Sequence, residues 1–154
     1  MICLRLFAVK MIAWDLMSSS IRKQKQFQKE NLGVTHLFLY NNQIVGFATL
    51  VMSQIEAKLA PYLFPVKIEI KYYPALLIGR LATHNDYRGR NVGKNICLWC
   101  VETAKQLSKT IGCRLVIVLT GGKPVLFYKK VGFEIFPKCE KKLRKWMYLQ
   151  VPSG

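Results

Sequence analysis

Gly79-Arg80-Leu81-Ala82-Thr83-His84-Asn85-Asp86-Tyr87-Arg88-Gly89-Arg90-Asn91-Val92-Gly93-Lys94 runs from an apolar strand through a short polar break into a basic turn, then opens an amphipathic helix. A turn of this kind gathers backbone N–H groups at a helix N-terminus, where the helix dipole favours an anion. Gly89 and Gly93 carry no side chain to block the approach of a phosphate, and Arg88, Arg90 and Lys94 add positive charge around it. The physical reading is a pyrophosphate-binding turn, although a strand–helix turn built only for packing has the same outline. It is not a P-loop, because no Gly-Lys-Ser/Thr follows four spacers, and no G-x-G-x-x-G is present.

A second segment, Phe127-Tyr128-Lys129-Lys130-Val131-Gly132-Phe133, lies one helix and one strand downstream. On its own it reads as a helix whose aromatic residues pack in a core and whose Gly132 forms the C-cap. Taken together, the two segments resemble the GNAT-type N-acetyltransferases. Arg88 and Gly93 fill the outer positions of that family's R-x-x-G-x-G/A signature, and Asn91 stands where its first glycine is usual. Asn is among the few non-glycine residues that accept a left-handed backbone. The later segment resembles the family's F/L-Y-x-x-x-G-F element, and the likeness covers roughly residues 32–136.

The resemblance implies an α/β GNAT fold, with a mixed central sheet flanked by helices, and acetyl-CoA as co-substrate. It implies that backbone groups of Leu81, Ala82 and Thr83 pair with the pantetheine arm like an extra strand, where the sheet splays. The amides of Arg88, Gly89, Arg90, Asn91, Val92, Gly93 and Lys94 would hold the pyrophosphate, and Phe127 and Lys130 would border the CoA chain. Tyr128 would stand near the CoA sulfur as general acid. The family often carries Asn after its fifth strand; this chain has Gly121-Gly122, which removes a contact to the pantetheine.

Outward from these anchors, Ile2, Leu4 and Leu6 alternate as a first strand followed by a helix. Residues 18–31 read as a further helix with Ser18 to Ser20 as N-caps, and Arg22, Lys25, Gln26 and Lys29 share one face with Lys23 nearby. Residues 34–40 alternate as a strand, Asn41-Asn42 makes a two-residue hairpin turn, and residues 43–53 return. Residues 67–72 alternate like an edge strand, and residues 75–83 follow as a buried one. A helix is expected over about residues 92–111, with Ile96, Cys100, Ala104, Leu107 and Ile111 inward and Gly112 as its cap. Residues 114–119 form an apolar strand of a sheet covered on both faces. Pro124 suits the first turn of the next helix, and residues 134–136 and 146–151 complete the sheet.

The 154 residues, 51% of them hydrophobic, suit one compact domain over residues 1–154. Met1 to Met17 is apolar, but Arg5, Lys10 and Asp15 interrupt it, so neither a membrane span nor a signal peptide is expected, and a cytoplasmic location is the expectation. The five cysteines show no framework spacing. Cys97-Leu98-Trp99-Cys100 falls inside a helix with no second pair for zinc, so buried thiols are expected and no metal.

Charge is the other strong signal. Twenty-four Lys and Arg against eight Asp and Glu give a formal net charge of +16, which stores self-repulsion unless a polyanion balances it. Nucleic acid is the first choice of partner, ahead of an anionic membrane surface. Arg22, Lys23, Lys25 and Lys29, with Lys138, Lys141, Lys142, Arg144 and Lys145, are the candidate phosphate contacts. A solvated charged face is the plain alternative for the helical set.

Leu77 to Ala82, the helix end Ala104 to Gly112 and the Phe-Tyr element resemble the tRNA-acetylating toxins of toxin–antitoxin pairs. That likeness implies acetylation of the α-amine of an aminoacyl-tRNA, with tRNA, an antitoxin protein and a homodimeric partner as expected associates. The family's Phe-Asp-Cys/Ser-Gly-Asn element, in the region that shapes the acceptor side, is absent from the N-terminus. An ester's α-amine is less basic than a lysine, which lessens the need for a strong base. Candidate bases are few: Glu69, Asp86 and Glu102 lack a paired carboxylate or His, His84 ends a strand, and His36 sits within one. Tyr128 as a core aromatic with a satisfied hydroxyl is the alternative to the acid role. Two rival functions remain: a protein or small-amine N-acetyltransferase, which would favour an acidic acceptor cleft, and a non-catalytic nucleic-acid-binding module on a degenerate fold, which would show a broken donor turn.

Overall fold

The computed structural model describes residues 8–9, 26–60 and 69–152. The chain divides into two compact units, residues 1–51 with 78–99 and residues 52–77 with 100–154. Strands β1 (Ala8–Val9), β2 (Val34–Tyr40), β3 (Gln43–Glu56) and β4 (Tyr72–Thr83) precede helix α1 (Val92–Leu107). Then come β5 (Leu115–Gly121), helix α2 (Pro124–Val131), β6 (Glu134–Ile135) and β7 (Arg144–Gln150).

In the first unit the strand order is β1-β2-β3-β4. The hairpin between β2 and β3 is antiparallel from Val34↔Leu50 to Tyr40↔Gln43, with a register shift at Phe38/Leu39. Asn41 and Asn42 turn it with φ of 47° and 59°. Both central residues must be left-handed for the turn to match the strands' twist, which explains the paired asparagines. Leu37, Phe38, Val45, Ala48 and Leu50 are buried here. Thr35 and Thr49, also buried, face each other across the ladder with Oγ1 atoms 2.8 Å apart, so each hydroxyl has a partner.

In the second unit the order is β4-β5-β7-β6. Ala75–Leu77 of β4 run parallel to Leu115–Ile117 of β5, while β5 and β7, and β7 and β6, are antiparallel. The sheet is therefore mixed, as expected. Its core packs Ile55, Tyr73, Leu115, Ile117, Phe136 and Tyr148. Pro124 opens α2, and Gly132 closes it with φ of 113°, the left-handed C-cap read from the sequence.

Several boundaries differ. Helix α1 ends at Leu107 rather than near residue 111. The Ser108 hydroxyl donates to the Lys105 carbonyl at 2.8 Å, and Lys109 and Thr110 bond back three residues instead of four. Serine competing for backbone carbonyls and the tighter last turn close the helix early. Ile111 is consequently 53% exposed, not inward, and Gly112 is not among the positive-φ residues, so it is no cap. Of the expected edge strand, residues 67–68 lie outside the described residues, and 69–71 are not strand; pairing begins at Tyr72. β6 stops at Ile135, because Phe136 leads into the 3-10 turn Pro137–Cys139. Ile2, Leu4 and Leu6 and residues 18–25 of the expected helix lie outside the described residues; residues 26–29 are helical. Cys97, Cys100, Cys113 and Cys139 are buried thiols outside any disulfide. Burial pushes the Cys97 thiol up to about 12, which keeps it protonated and unreactive.

Candidate active site

In the first unit, β4 delivers half-buried Leu81, Ala82 and Thr83 to the turn. Gly46 on β3 lets them sit close. A Cβ there would lie 2.6 Å from the Ala82 carbonyl oxygen and 2.6 Å from Ile96 Cδ1. The strand pair is closed by the His84 N–H donating to the Val45 carbonyl at 2.8 Å. His84 then caps the 3-10 turn Asn85–Tyr87: its Nδ1 accepts from the Asp86 N–H at 3.3 Å. His84 thus has in Asp86 the local partner that its sequence neighbourhood did not make obvious.

The chain next passes through Arg88, in extended backbone, Gly89 at φ 74° and Asn91 at φ 61°. The Asn91 carbonyl accepts the Asn95 N–H at 2.9 Å, which makes Asn91 the N-cap of α1. Asn91 therefore adopts the left-handed backbone that a glycine would supply. Gly89 would have open space for a Cβ, so conformation, not crowding, requires glycine there. Left-handed residues immediately before a helix turn successive N–H groups toward one side, the arrangement that binds anions. Val92 is buried and anchors the helix start, Gly93 is half-buried in its first turn, and Arg88, Arg90 and Lys94 are exposed. Among the described residues none of these three cations is in an ion pair with a carboxylate.

A brace holds this turn from the side. The Tyr87 hydroxyl donates to Gln43 Oε1 at 2.8 Å. The Tyr40 ring meets Tyr87 edge-on at 6.3 Å, and the Arg90 guanidinium lies 5.6 Å over the Tyr87 ring. Neither Tyr87, Gln43 nor Tyr40 was singled out from the sequence. The bonded pair is separated by 44 residues, and no local pattern announces it.

In the second unit, Tyr128 is only 6% exposed on α2. Phe127 and Phe133 flank its ring at 5.0 and 5.4 Å, both close to edge-on. Phe127 is half-buried and Lys130 exposed on the same helix. A phenol ring packed this closely between two others keeps one orientation. Gly121 has a local reason to be glycine: a Cβ would sit 2.8 Å from the Leu143 carbonyl oxygen.

The remaining candidates are placed as follows. His36 is half-buried with its ring 4.8 Å from Trp99, and burial lowers its pKa. Glu102 accepts from Gln106 at 2.7 Å, and Glu69 is exposed. Lys29, Lys138, Lys141, Lys142 and Arg144 are exposed, while Arg22, Lys23 and Lys25 lie outside the described residues. Lys145 is half-buried, and its ammonium donates to the Lys142 carbonyl at 2.7 Å and to the Glu140 carbonyl, so it braces its own loop. Among the described residues no group of three or more His, Cys, Asp or Glu side chains is placed to hold a metal. Nor is any described helix long and apolar enough to cross a membrane.

The family model of the acetyltransferase (GNAT) domain matches residues 33–135. Among curated protein sequences there is no match. Solved structures do resemble the chain. AtaT complexed with acetyl-methionyl-tRNAfMet is 18% identical, with a TM-score of 0.69 over 86% of this chain and 83% of that one. A bacterial toxin is 12% identical, with a TM-score of 0.76 over 95% and 88%. AtaTR bound with acetyl-CoA is 18% identical, with a TM-score of 0.69 over 90% and 85%. At such identities the likeness is one of fold.

Proposed function

We propose that this chain, which belongs to the acetyltransferase (GNAT) family, transfers the acetyl group of acetyl-CoA to the α-amine of an aminoacyl-tRNA. The chain is an N-acetyltransferase with acetyl-CoA as acyl donor; the acceptor and the individual roles below are our reading. On it, residues 1–154 act as one catalytic domain.

The N–H groups from Arg88 to Lys94, at the start of α1, take the diphosphate, with the helix dipole and three cations adding to the field. Backbone groups of Leu81, Ala82 and Thr83 take the pantetheine arm, and Phe127 and Lys130 border it. Acyl transfer moves the acetyl group from sulfur to nitrogen: a C–N bond forms, the C–S bond breaks, and the departing thiolate needs a proton. Tyr128 supplies that proton. The amine must arrive neutral. Of the candidate bases, His84 caps its turn, Glu102 is bonded to Gln106, and His36 is half-buried against Trp99, while Asp86 and Glu69 are exposed. An α-amine of an aminoacyl ester, less basic than lysine, suits such a site.

The observation that carries the acceptor is charge. The chain has a net +16, and Lys138, Lys141, Lys142 and Arg144 are exposed with no carboxylate in an ion pair among the described residues. A polyamine or lysine acceptor calls for an acidic cleft. With eight Asp and Glu in the whole chain, few carboxylates are at hand to build one. The likeness to AtaT, solved with an acetylated methionyl-tRNA, and to AtaT bound to the C-terminus of the antitoxin AtaR, supports a toxin role with a protein antitoxin as partner. Labelled acetyl-CoA offered in parallel to charged tRNA, uncharged tRNA, polyamines and peptides tests this. Label on charged tRNA alone is expected. Label on peptide or polyamine, with charged tRNA untouched, makes the chain a protein or small-amine acetyltransferase.

A further inference from the structure

Leu143 is 92% exposed, at the tip of a loop that is otherwise held tightly. Pro137–Cys139 form a 3-10 turn whose Cys139 is buried. The Lys142 N–H donates to the Cys139 carbonyl at 3.1 Å, and the Lys145 ammonium ties the Glu140 and Lys142 carbonyls. On the far side, the Leu143 carbonyl sits where Gly121 lacks a side chain, and Arg144 pairs with Gly121. These restraints keep the backbone from folding the leucine inward, so the side chain is displayed. Lys138, Lys141, Lys142, Arg144 and the neighbouring Lys123 are all exposed, and among the described residues no carboxylate is in an ion pair with any of them.

The combination of five cations and one apolar tip selects the occupant. A membrane anchor needs a broad apolar face, which a single leucine does not make. An RNA duplex offers phosphates but keeps its base faces stacked. An unpaired strand offers both phosphates and open base faces. We propose that residues 138–145, with Lys123, dock a single-stranded segment of RNA, the cations on its phosphates and Leu143 against an unstacked base. This deepens the RNA reading above and rests on it. Pro124 begins α2 directly after Lys123, and α2 carries Tyr128, so a strand docked here runs alongside the helix of the proposed acid.

The test uses the full chain with three probes: a short unpaired RNA oligonucleotide, the same sequence in a duplex, and phosphatidylglycerol vesicles. Leu143→Ser should weaken unpaired RNA about tenfold or more, the worth of one lost apolar contact, while duplex affinity holds and Leu143→Met retains binding. Lys141→Gln and Arg144→Gln should each lower the salt slope on unpaired RNA by about 0.7. An unchanged affinity of Leu143→Ser for unpaired RNA, an equal loss on the duplex, or a loss confined to vesicles overturns the proposal. The two readings separate cleanly. Leu143-dependent binding without acetylation of charged tRNA removes the aminoacyl-tRNA acceptor and keeps this surface. Acetylation of charged tRNA by Leu143→Ser at an unchanged KM does the reverse.

Discussion

Replacing Gly93 with Asp separates the donor site from the fold. Gly93 is the second residue of α1, directly after Val92, in the first turn whose N–H groups have no intrahelical partner. A carboxylate here favours the helix itself: an acidic side chain in the first turn contributes about 0.3–1 kcal/mol through the helix dipole, and leaving glycine behind recovers a few tenths more. Thermal stability should therefore hold or rise slightly. Donor binding should move the other way. One negative charge at about 5 Å from a phosphate costs about 0.8–3 kcal/mol for an effective dielectric between about 80 and 20. Against a diphosphate, allowing for salt, about 2–4 kcal/mol is a fair figure, which is roughly 30- to 700-fold in affinity. Calorimetry with acetyl-CoA and a thermal melt on the same sample read both quantities. An affinity within threefold of the parent refutes the donor turn, and a large fall in melting temperature refutes the account of Gly93 as a tolerant helix position.

The other expectations are these. Tyr128→Phe keeps the ring between Phe127 and Phe133 and removes the hydroxyl, so turnover should fall about 10²–10⁴-fold with acetyl-CoA affinity unchanged; near-normal turnover returns Tyr128 to a packing role. Gly46→Val places carbon 2.6 Å from the Ala82 carbonyl and Ile96, so about 1–3 kcal/mol of stability should be lost to overpacking; an unshifted chemical denaturation midpoint would contradict that close approach. His36 has a folded pKa lowered from 6.5 by burial. The unfolded chain thus takes up the proton first, and stability should fall as pH drops below about 6.5. Denaturation midpoints across that window should flatten in His36→Gln, and an identical pH profile would remove His36 as the cause.

What could be read without the structure was carried by residues acting on their own backbone. Asn41 and Asn42 announce a left-handed hairpin turn, Pro124 a helix start, Gly132 a C-cap, and Gly89 with Asn91 a left-handed entry to α1; each preference belongs to the residue itself, so sequence suffices. The strand at residues 34–40 was legible from alternation for the same reason. The end of α1 was misplaced because Ile111 kept the helical period while Ser108 had already diverted a backbone carbonyl. Tertiary structure alone decided the rest. That Gly46 is needed against Ala82, that Gly121 makes way for Leu143, that Gln43 holds Tyr87, and that Lys145 braces a loop instead of facing solvent are relations between segments brought together by folding. A close approach or a bond of this kind is a property of two places at once, and neither sequence neighbourhood contains the other.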